Sequence, residues 1–311
     1  MDLDLDLLRH FLAIYRAGSI GRAAAALSLS QPGLSKSLRR LERDLGVALF
    51  ERQPTGMVTT VHGQALARRA EVIEAEGRRA LEELQQIGDA TVGKISIGVG
   101  PAVAASILPV PLAAFLSDRP RVEVSVLEGL YEVLIERLLS GALDFVLTTR
   151  PFTGGNDPAI EVTRFRRDRF TIACGIDHPL SRRKAPFGKA LAEYPWVMPP
   201  RGGIIWQRFV DLFVRQGLRA PDPQVETNST GLMLSLIRTG RYLTFVPESL
   251  FAYEARHKTA ILLRDPAFMI DREIVMLTRT GTFLSPNALA LLDAFKSSEQ
   301  GASPITKRSA R

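Results

Sequence analysis

The sequence predicts an α/β chain with an all-α N-terminal part. Three observations predict it. Leu34, Leu38, Leu41 and Leu45 recur every three or four residues near the start of the chain. Leu66, Ala70, Ile73, Gly77, Ala80, Leu84 and Ile87 continue at alternating gaps of four and three. From Lys94 onward, short alternating runs such as Ile95-Ser96-Ile97-Gly98-Val99 take turns with helical patterns. The first two periods are those of helices, and the third is that of strands joined by crossovers.

With 311 residues the chain is too long for one small core and divides into segments. Residues 1–63 read as a small helical domain, 64–91 as one long helix, 92–298 as an α/β domain, and 299–311 as a flexible tail. Charged residues make up 23% and the net charge is +7, which favours an acidic partner such as nucleic acid. The single cysteine, Cys174, excludes an internal disulfide and a multi-cysteine zinc site, and reads as a small buried hydrophobe. Met1-Asp2-Leu3-Asp4-Leu5-Asp6 lacks the basic start and apolar run of a secretory signal, so a cytoplasmic location is expected. The uncharged stretch from Ile95 to Leu116 is long enough to span a bilayer. Gly98, Gly100, Pro101, Pro109 and Pro111 break it into a strand, a turn and an interrupted helix, so no membrane partner is expected.

In the first segment, Leu5, Leu8, Phe11, Leu12 and Tyr15 form one helical face. Gly18 ends that helix and Ser19 is expected to cap the next, in which Ala23 to Ala26 allow close approach. Ser30 caps a third helix, with Gln31 and Pro32 in its first turn. Its leucine stripe faces a core. On a helical wheel Pro32, Lys36, Arg39, Arg40 and Arg43 lie on the far side, and Ser35 and Gln31 sit near its start. Two short helices and a turn leading into such a helix make a helix-turn-helix. Cations neutralise phosphates there, and short polar residues reach base edges. The competing reading is a solvated face of mixed charge, because Glu42 and Asp44 share this helix. Gln53-Pro54-Thr55-Gly56 then supplies a turn and a small hairpin, with Arg52 at its base placed to enter a minor groove.

Phe11 through Gly63 resembles the winged helix-turn-helix of LysR-type transcriptional regulators. The resemblance is carried by Ala23-Ala24-Ala25-Ala26-Leu27, Ser30-Gln31-Pro32, Leu34-Ser35, Leu41-Glu42, Leu45-Gly46-Val47 and Leu49-Phe50-Glu51-Arg52. Two departures stand out. Thr60-Val61-His62-Gly63 replaces the family's Thr-Pro at the wing's exit, and Gly33 replaces its alanine. The resemblance implies a dimer through the long helix, or a tetramer of two dimers, on pseudo-palindromic double-stranded DNA. The heptad seam itself suits a two-helix pairing, with packing on the chain's own body as the alternative.

In the third segment the order βαβαβ implies a parallel sheet with helices on both faces, followed by a second α/β unit. Strands are expected at 169–174, 196–198, 242–245 and 272–278, and helices at 204–216, 229–239 and 286–295. The layout resembles the effector domain of the same regulators, which is similar to two-lobed periplasmic binding proteins. It implies lobe I over 92–164 and 270–298 and lobe II over 165–269. Ligands in such sheets bind beyond the carboxyl ends of strands. That rule selects Gly100, Pro101, Ala102, Glu128, Gly129, Thr148, Thr149, Arg150, Arg201, Gly202, Thr227, Asn228, Phe245 and Pro247. A small-molecule effector, a sugar or an aromatic acid, suits such a cleft. Family members often carry Ser or Thr where Pro101 or Ala102 stands, so either Arg150 or Arg201 meets an effector's charge instead, or the effector is uncharged.

No cofactor, metal or catalytic site is expected. Gly98-Val99-Gly100-Pro101 lacks the third glycine of a dinucleotide loop, and His10, His62, His178 and His257 are scattered. The rival reading is a cytoplasmic ligand-binding protein or α/β enzyme with a helical appendage.

Overall fold

The computed structural model describes residues 3–53, 56–88, 92–150, 157–202, 204–251, 254 and 257–301. The chain divides into two compact units: Met1–Gly93 with Glu136–Leu143, and Lys94–Ile135 with Asp144–Arg311.

In the first unit, helix α1 (Leu5–Ala17) starts at Asp4, whose carboxylate accepts from the backbone N–H groups of Asp6 and Leu7. It ends at Gly18, which sits in the left-handed region at φ 60°. Ser19 stands before α2 (Ile20–Ala26) in extended conformation, but its side chain makes no capping bond, against expectation. The α1–α2 packing holds that corner instead, through the buried Ile20, Ala23 and Ala24. Helix α3 (Gln31–Leu45) begins at Ser30, whose Oγ accepts from the Gly33 N–H at 3.2 Å. A Cβ at position 33 would lie 3.0 Å from that oxygen, which fits glycine there. Leu34, Leu38 and Leu41 are buried against Phe11, Leu12 and Ile14, while Leu45 is only half-buried at the helix end.

Strands β1 (Phe50–Gln53) and β2 (Gly56–Thr59) pair antiparallel as the wing. The wing is seated by Met57 N–H donating to the Gly18 carbonyl at 3.1 Å. Its tip, Pro54 and Thr55, lies outside the described residues. Helix α4 (Val61–Gly88) then begins before Gly63. Thr60 replaces the missing proline's guidance: its Oγ1 accepts from Gly63 N–H at 3.0 Å and donates to the Ala48 carbonyl at 2.8 Å. A Cβ on Gly63 would sit 2.2 Å from the Leu49 carbonyl oxygen, so the wing and α4 meet backbone to backbone.

The heptad seam divides in two. Leu66 and Ala70 pack into the helix-turn-helix core together with Ala67. Ile73, Ala80 and Leu84 stay exposed, as does Leu81, and the side chain of Ile87 is outside the described residues.

The second unit carries a sheet in the order β10-β6-β11-β5-β3-β4, with β9 also on β6. These are β3 (Val92–Val99), β4 (Arg121–Glu128), β5 (Phe145–Thr149), β6 (Ile160–Gly175), β9 (Leu243–Pro247), β10 (Ala260–Leu263) and β11 (Ile270–Arg279). β3 and β5 are parallel, whereas β11 runs antiparallel to β5 and β6. The sheet is thus mixed, not purely parallel. The strand expected at 169–174 starts nine residues earlier, because β11 returns alongside it and completes its ladder. A small parallel sheet joins β7 (Val197–Met198) and β8 (Val225–Glu226).

The expected interrupted helix resolves into α5 (Pro101–Ser106) and α6 (Pro109–Asp118), and α7 (Tyr131–Leu139) follows β4. Further on come α8 (Ile204–Arg215), α9 (Thr230–Arg238) and α10 (Pro286–Gly301). Helix α10 runs past the point where a tail was expected, and residues 302–311 lie outside the described set. One core joins Ile95, Ile97, Val99, Phe115, Phe145, Leu147, Leu291 and Phe295. A second gathers Trp196, Phe209, Phe213, Phe245 and Phe268 around the far half of β6. Two cores on one pair of continuous strands, β6 and β11, make a two-lobed body. Among the described residues no helix is long and apolar enough to cross a membrane.

Candidate nucleic-acid interface and effector cleft

The outer face of α3 is open. Gln31, Pro32, Lys36, Arg39, Arg40 and Arg43 are all exposed, and Ser30 and Ser35 flank them at its N-terminal end. Lys36, Arg39 and Arg43 enter no ion pair among the described residues. Arg39 Nε donates to the Ser35 carbonyl at 3.3 Å. Arg40 approaches Asp4 and Asp44 loosely, each at 3.7 Å. The acid that weakened the wheel argument has another task. Glu42 Oε1 turns inward and accepts from the Leu49 N–H at 2.8 Å and from the Phe50 N–H at 3.4 Å. The carboxylate therefore ties α3 to the wing and does not dilute its cationic face. Arg52 pairs with Met57 across the wing, and its side chain is outside the described residues.

The strand-exit residues behave unevenly. Gly100 is buried, its N–H bonded to the Leu147 carbonyl, and a Cβ there would fall 2.7 Å from Thr148 Oγ1. Pro101 and Ala102 are half-buried, and Ala102 packs against the core of Ala173, Val246 and Leu250. Glu128 is exposed beside the half-buried Gly129. Thr227 and Asn228 lead into Ser229, whose Oγ caps α9.

Four of these residues are already engaged within the protein. Phe245 is a core residue, stacked on Phe170 at 5.3 Å and close to Phe209. Thr148 and Pro247, the one within β5 and the other ending β9, are likewise buried. Arg201, beside the exposed Gly202, is already held: Nη1 lies 3.1 Å from Asp222, Nε 2.9 Å from Glu226, and its guanidinium 5.6 Å from the Trp206 ring. Arg150 is less committed, 3.7 Å from Glu273, which also takes Arg164 at 2.9 Å.

A cluster that sequence reasoning missed lies where the two long strands cross between lobes. Arg272 on β11 and Asp168 on β6 are direct cross-strand partners. Arg272 Nε and Nη2 donate to Asp168 Oδ2 at 3.0 and 2.6 Å, and both side chains are only 4% exposed. Arg272 Nη1 donates to Thr149 Oγ1 at 2.7 Å, and Ser249 Oγ donates to Asp168 Oδ2 at 2.8 Å. Burial draws the Arg272 guanidinium below its ordinary value, with the charge of Asp168 opposing that shift. No local motif could have revealed the cluster, since its members stand at positions 149, 168, 249 and 272. Among the described residues no group of three or more His, Cys, Asp or Glu is placed to hold a metal ion.

A winged helix-turn-helix with an open cationic helix, followed by a two-lobed α/β body, defines a DNA-binding regulator with a ligand domain. Residues 5–64 match the model of the bacterial regulatory helix-turn-helix protein, lysR family, and residues 88–300 match the LysR substrate binding domain. The chain belongs to the LysR family of transcriptional regulators and is not an enzyme. It is 31% identical to the SDS degradation transcriptional activation protein of Pseudomonas sp., over 93% of this chain and 94% of that one. Among solved structures, full-length OxyR from Pseudomonas aeruginosa shares the fold at 20% identity with a TM-score of 0.70, covering 95% of each chain. Full-length CbnR complexed with its target DNA shares it at 22% identity with a TM-score of 0.63, covering 95% of this chain and 100% of that one.

Proposed function

We propose that α3 enters the major groove, with Ser30, Gln31, Pro32 and Ser35 toward base edges and Lys36, Arg39, Arg40 and Arg43 toward phosphates. Two copies, paired through the exposed half of the α4 seam, then read two half-sites of a pseudo-palindrome, alone or as a tetramer of two dimers. The observation that carries this reading is the combination on α3: Lys36, Arg39 and Arg43 solvent-facing and without an ion pair among the described residues, with Glu42 withdrawn to the wing. Residues 1–63, 64–91 and 92–298 serve as reading head, linker and effector domain of a cytoplasmic regulator.

The test is the salt dependence of binding to duplexes selected from a random-sequence pool. Each phosphate contact removed should shallow the log–log slope by about 0.9. Arg39→Ala and Arg43→Ala should each do so. Unchanged slopes in both variants would overturn the docking.

For the ligand, we infer an uncharged, hydroxyl-bearing effector such as a sugar over an aromatic acid. Arg201 is occupied by two carboxylates, Arg150 already faces Glu273 at 3.7 Å, and Pro101 and Ala102 offer no hydroxyl to a carboxylate. A thermal-shift panel of sugars and aromatic acids decides it, since a native-state ligand raises the melting point. The effector then favours one arrangement of the reading heads by binding it more tightly.

A further inference from the structure

We propose that Arg272 and Asp168 form a clasp at the inter-lobe hinge, closed on one lobe by Thr149 and on the other by Ser249, which sets the angle between the lobes. This goes beyond the DNA and effector reading and holds whatever the ligand is.

The placement argues for it. β6 and β11 run continuously through both lobes, so any change of lobe angle bends these two strands. Their ladder already shifts register between Ile274 and Val275, two residues beyond Arg272. A register shift of this kind marks where a sheet bends. The buried pair sits beside it. Thr149 ends β5, in the lobe built on Val99, Phe145 and Leu147. Ser249 lies in the short turn after β9, in the lobe that holds Val246 and Leu250. Each lobe therefore places one hydroxyl on one member of the pair.

Saturation argues for it as well. Asp168 accepts three bonds at Oδ2, from Arg272 Nε, Arg272 Nη2 and Ser249 Oγ. At Oδ1 it accepts the N–H of Arg169 at 2.8 Å and that of Ser249 at 3.3 Å. The guanidinium also lies 4.8 Å from the Phe170 ring. A buried ion pair is a poor source of stability against an apolar replacement, because desolvation offsets attraction, but it is exacting about geometry. A group with that property between two bodies favours discrete arrangements over a continuum. Arg272 is a positioning residue here, acting through Thr149.

The test is hydrogen exchange on the full-length chain, comparing Thr149→Val, Thr149→Ser and Ser249→Ala. Valine keeps the shape of threonine and removes the acceptor, and both charges remain. Thr149→Val should speed exchange at the Ser249 and Arg169 amides in the other half of the network. Ser249→Ala should do the same at the Arg150 amide, which bonds to the Glu273 carbonyl. Roughly three- to tenfold is expected, a part of the roughly ten- to hundredfold that losing one charge-assisted bond outright is worth. Thr149→Ser should restore the wild-type rate. Effects confined to the mutated lobe would overturn the clasp. So would acceleration spread evenly through α6 and α9, because that would make the hydroxyls general stabilisers.

Discussion

Glu42 and Leu49 are seven residues apart, and the carboxylate of one accepts the backbone N–H of the other at 2.8 Å. The bond fixes the wing's angle against α3, and a second N–H, from Phe50, shares the same oxygen. Replacing Glu42 with Ala leaves two partly buried donors without their acceptor. The expected cost is about 1–3 kcal/mol, read from urea denaturation. Glu42→Gln should recover part of it. A midpoint unmoved by Glu42→Ala would show that water replaces the carboxylate without loss.

Gly63 is the narrowest point between wing and linker. Its added Cβ would lie 2.2 Å from the Leu49 carbonyl oxygen and 2.6 Å from Thr59 Cγ2. Gly63→Ala must therefore push backbone away from backbone, at a cost of about 2 kcal/mol or more. Gly77→Ala, where nothing lies within 4 Å, is the control and should stabilise α4 by up to about 1 kcal/mol. Melting temperatures of the two variants should move in opposite directions.

Leu81 and Leu84 are 64% and 66% exposed in the single chain, too much apolar surface for a linker helix that stays alone. Leu81→Asp with Leu84→Asp should shift the protein to a monomer in sedimentation and leave the fold intact by circular dichroism. A dimer that survives both changes would place the interface elsewhere.

His178 is buried, its Nδ1 accepting the Leu180 N–H at 3.1 Å. Burial lowers its pKa from the usual 6.5. The neutral ring is thus the folded form, and the unfolded chain binds the proton first. The stability it contributes is complete above pH 6.5 and is lost as pH falls from there toward the folded value. His178→Asn keeps an acceptor for Leu180 and should flatten this part of the stability–pH curve. An identical slope in the variant would assign the pH dependence to other groups.

Burial pushes the Cys174 thiol up to about 12. Iodoacetamide at pH 8 should label it on the order of a hundredfold more slowly than a free thiol, and at the normal rate once unfolded. Fast labelling of the native chain would mean that β6 opens locally.

The reading head was legible because its information is local. The spacing of Leu34, Leu38 and Leu41, the cap at Ser30 and the glycine at Gly18 each act within a few residues, where helix geometry alone decides. Even there, local signals could not assign Glu42, whose partner is fixed by how the wing folds back. Strand exits were found by rule, but whether they open or close depends on packing from distant segments. Phe245 and Thr148 are covered, and Arg201 is held by Asp222 and Glu226. The lower half of the α4 seam went to the helix-turn-helix core for the same reason.

By itself, then, the sequence determined the helices, their polar and apolar faces and the family, because period and capping are short-range properties. Only the tertiary structure decided that residues 149, 168, 249 and 272 meet between the lobes. A buried ion pair forms where two strands are brought side by side, and no spacing along the chain encodes that.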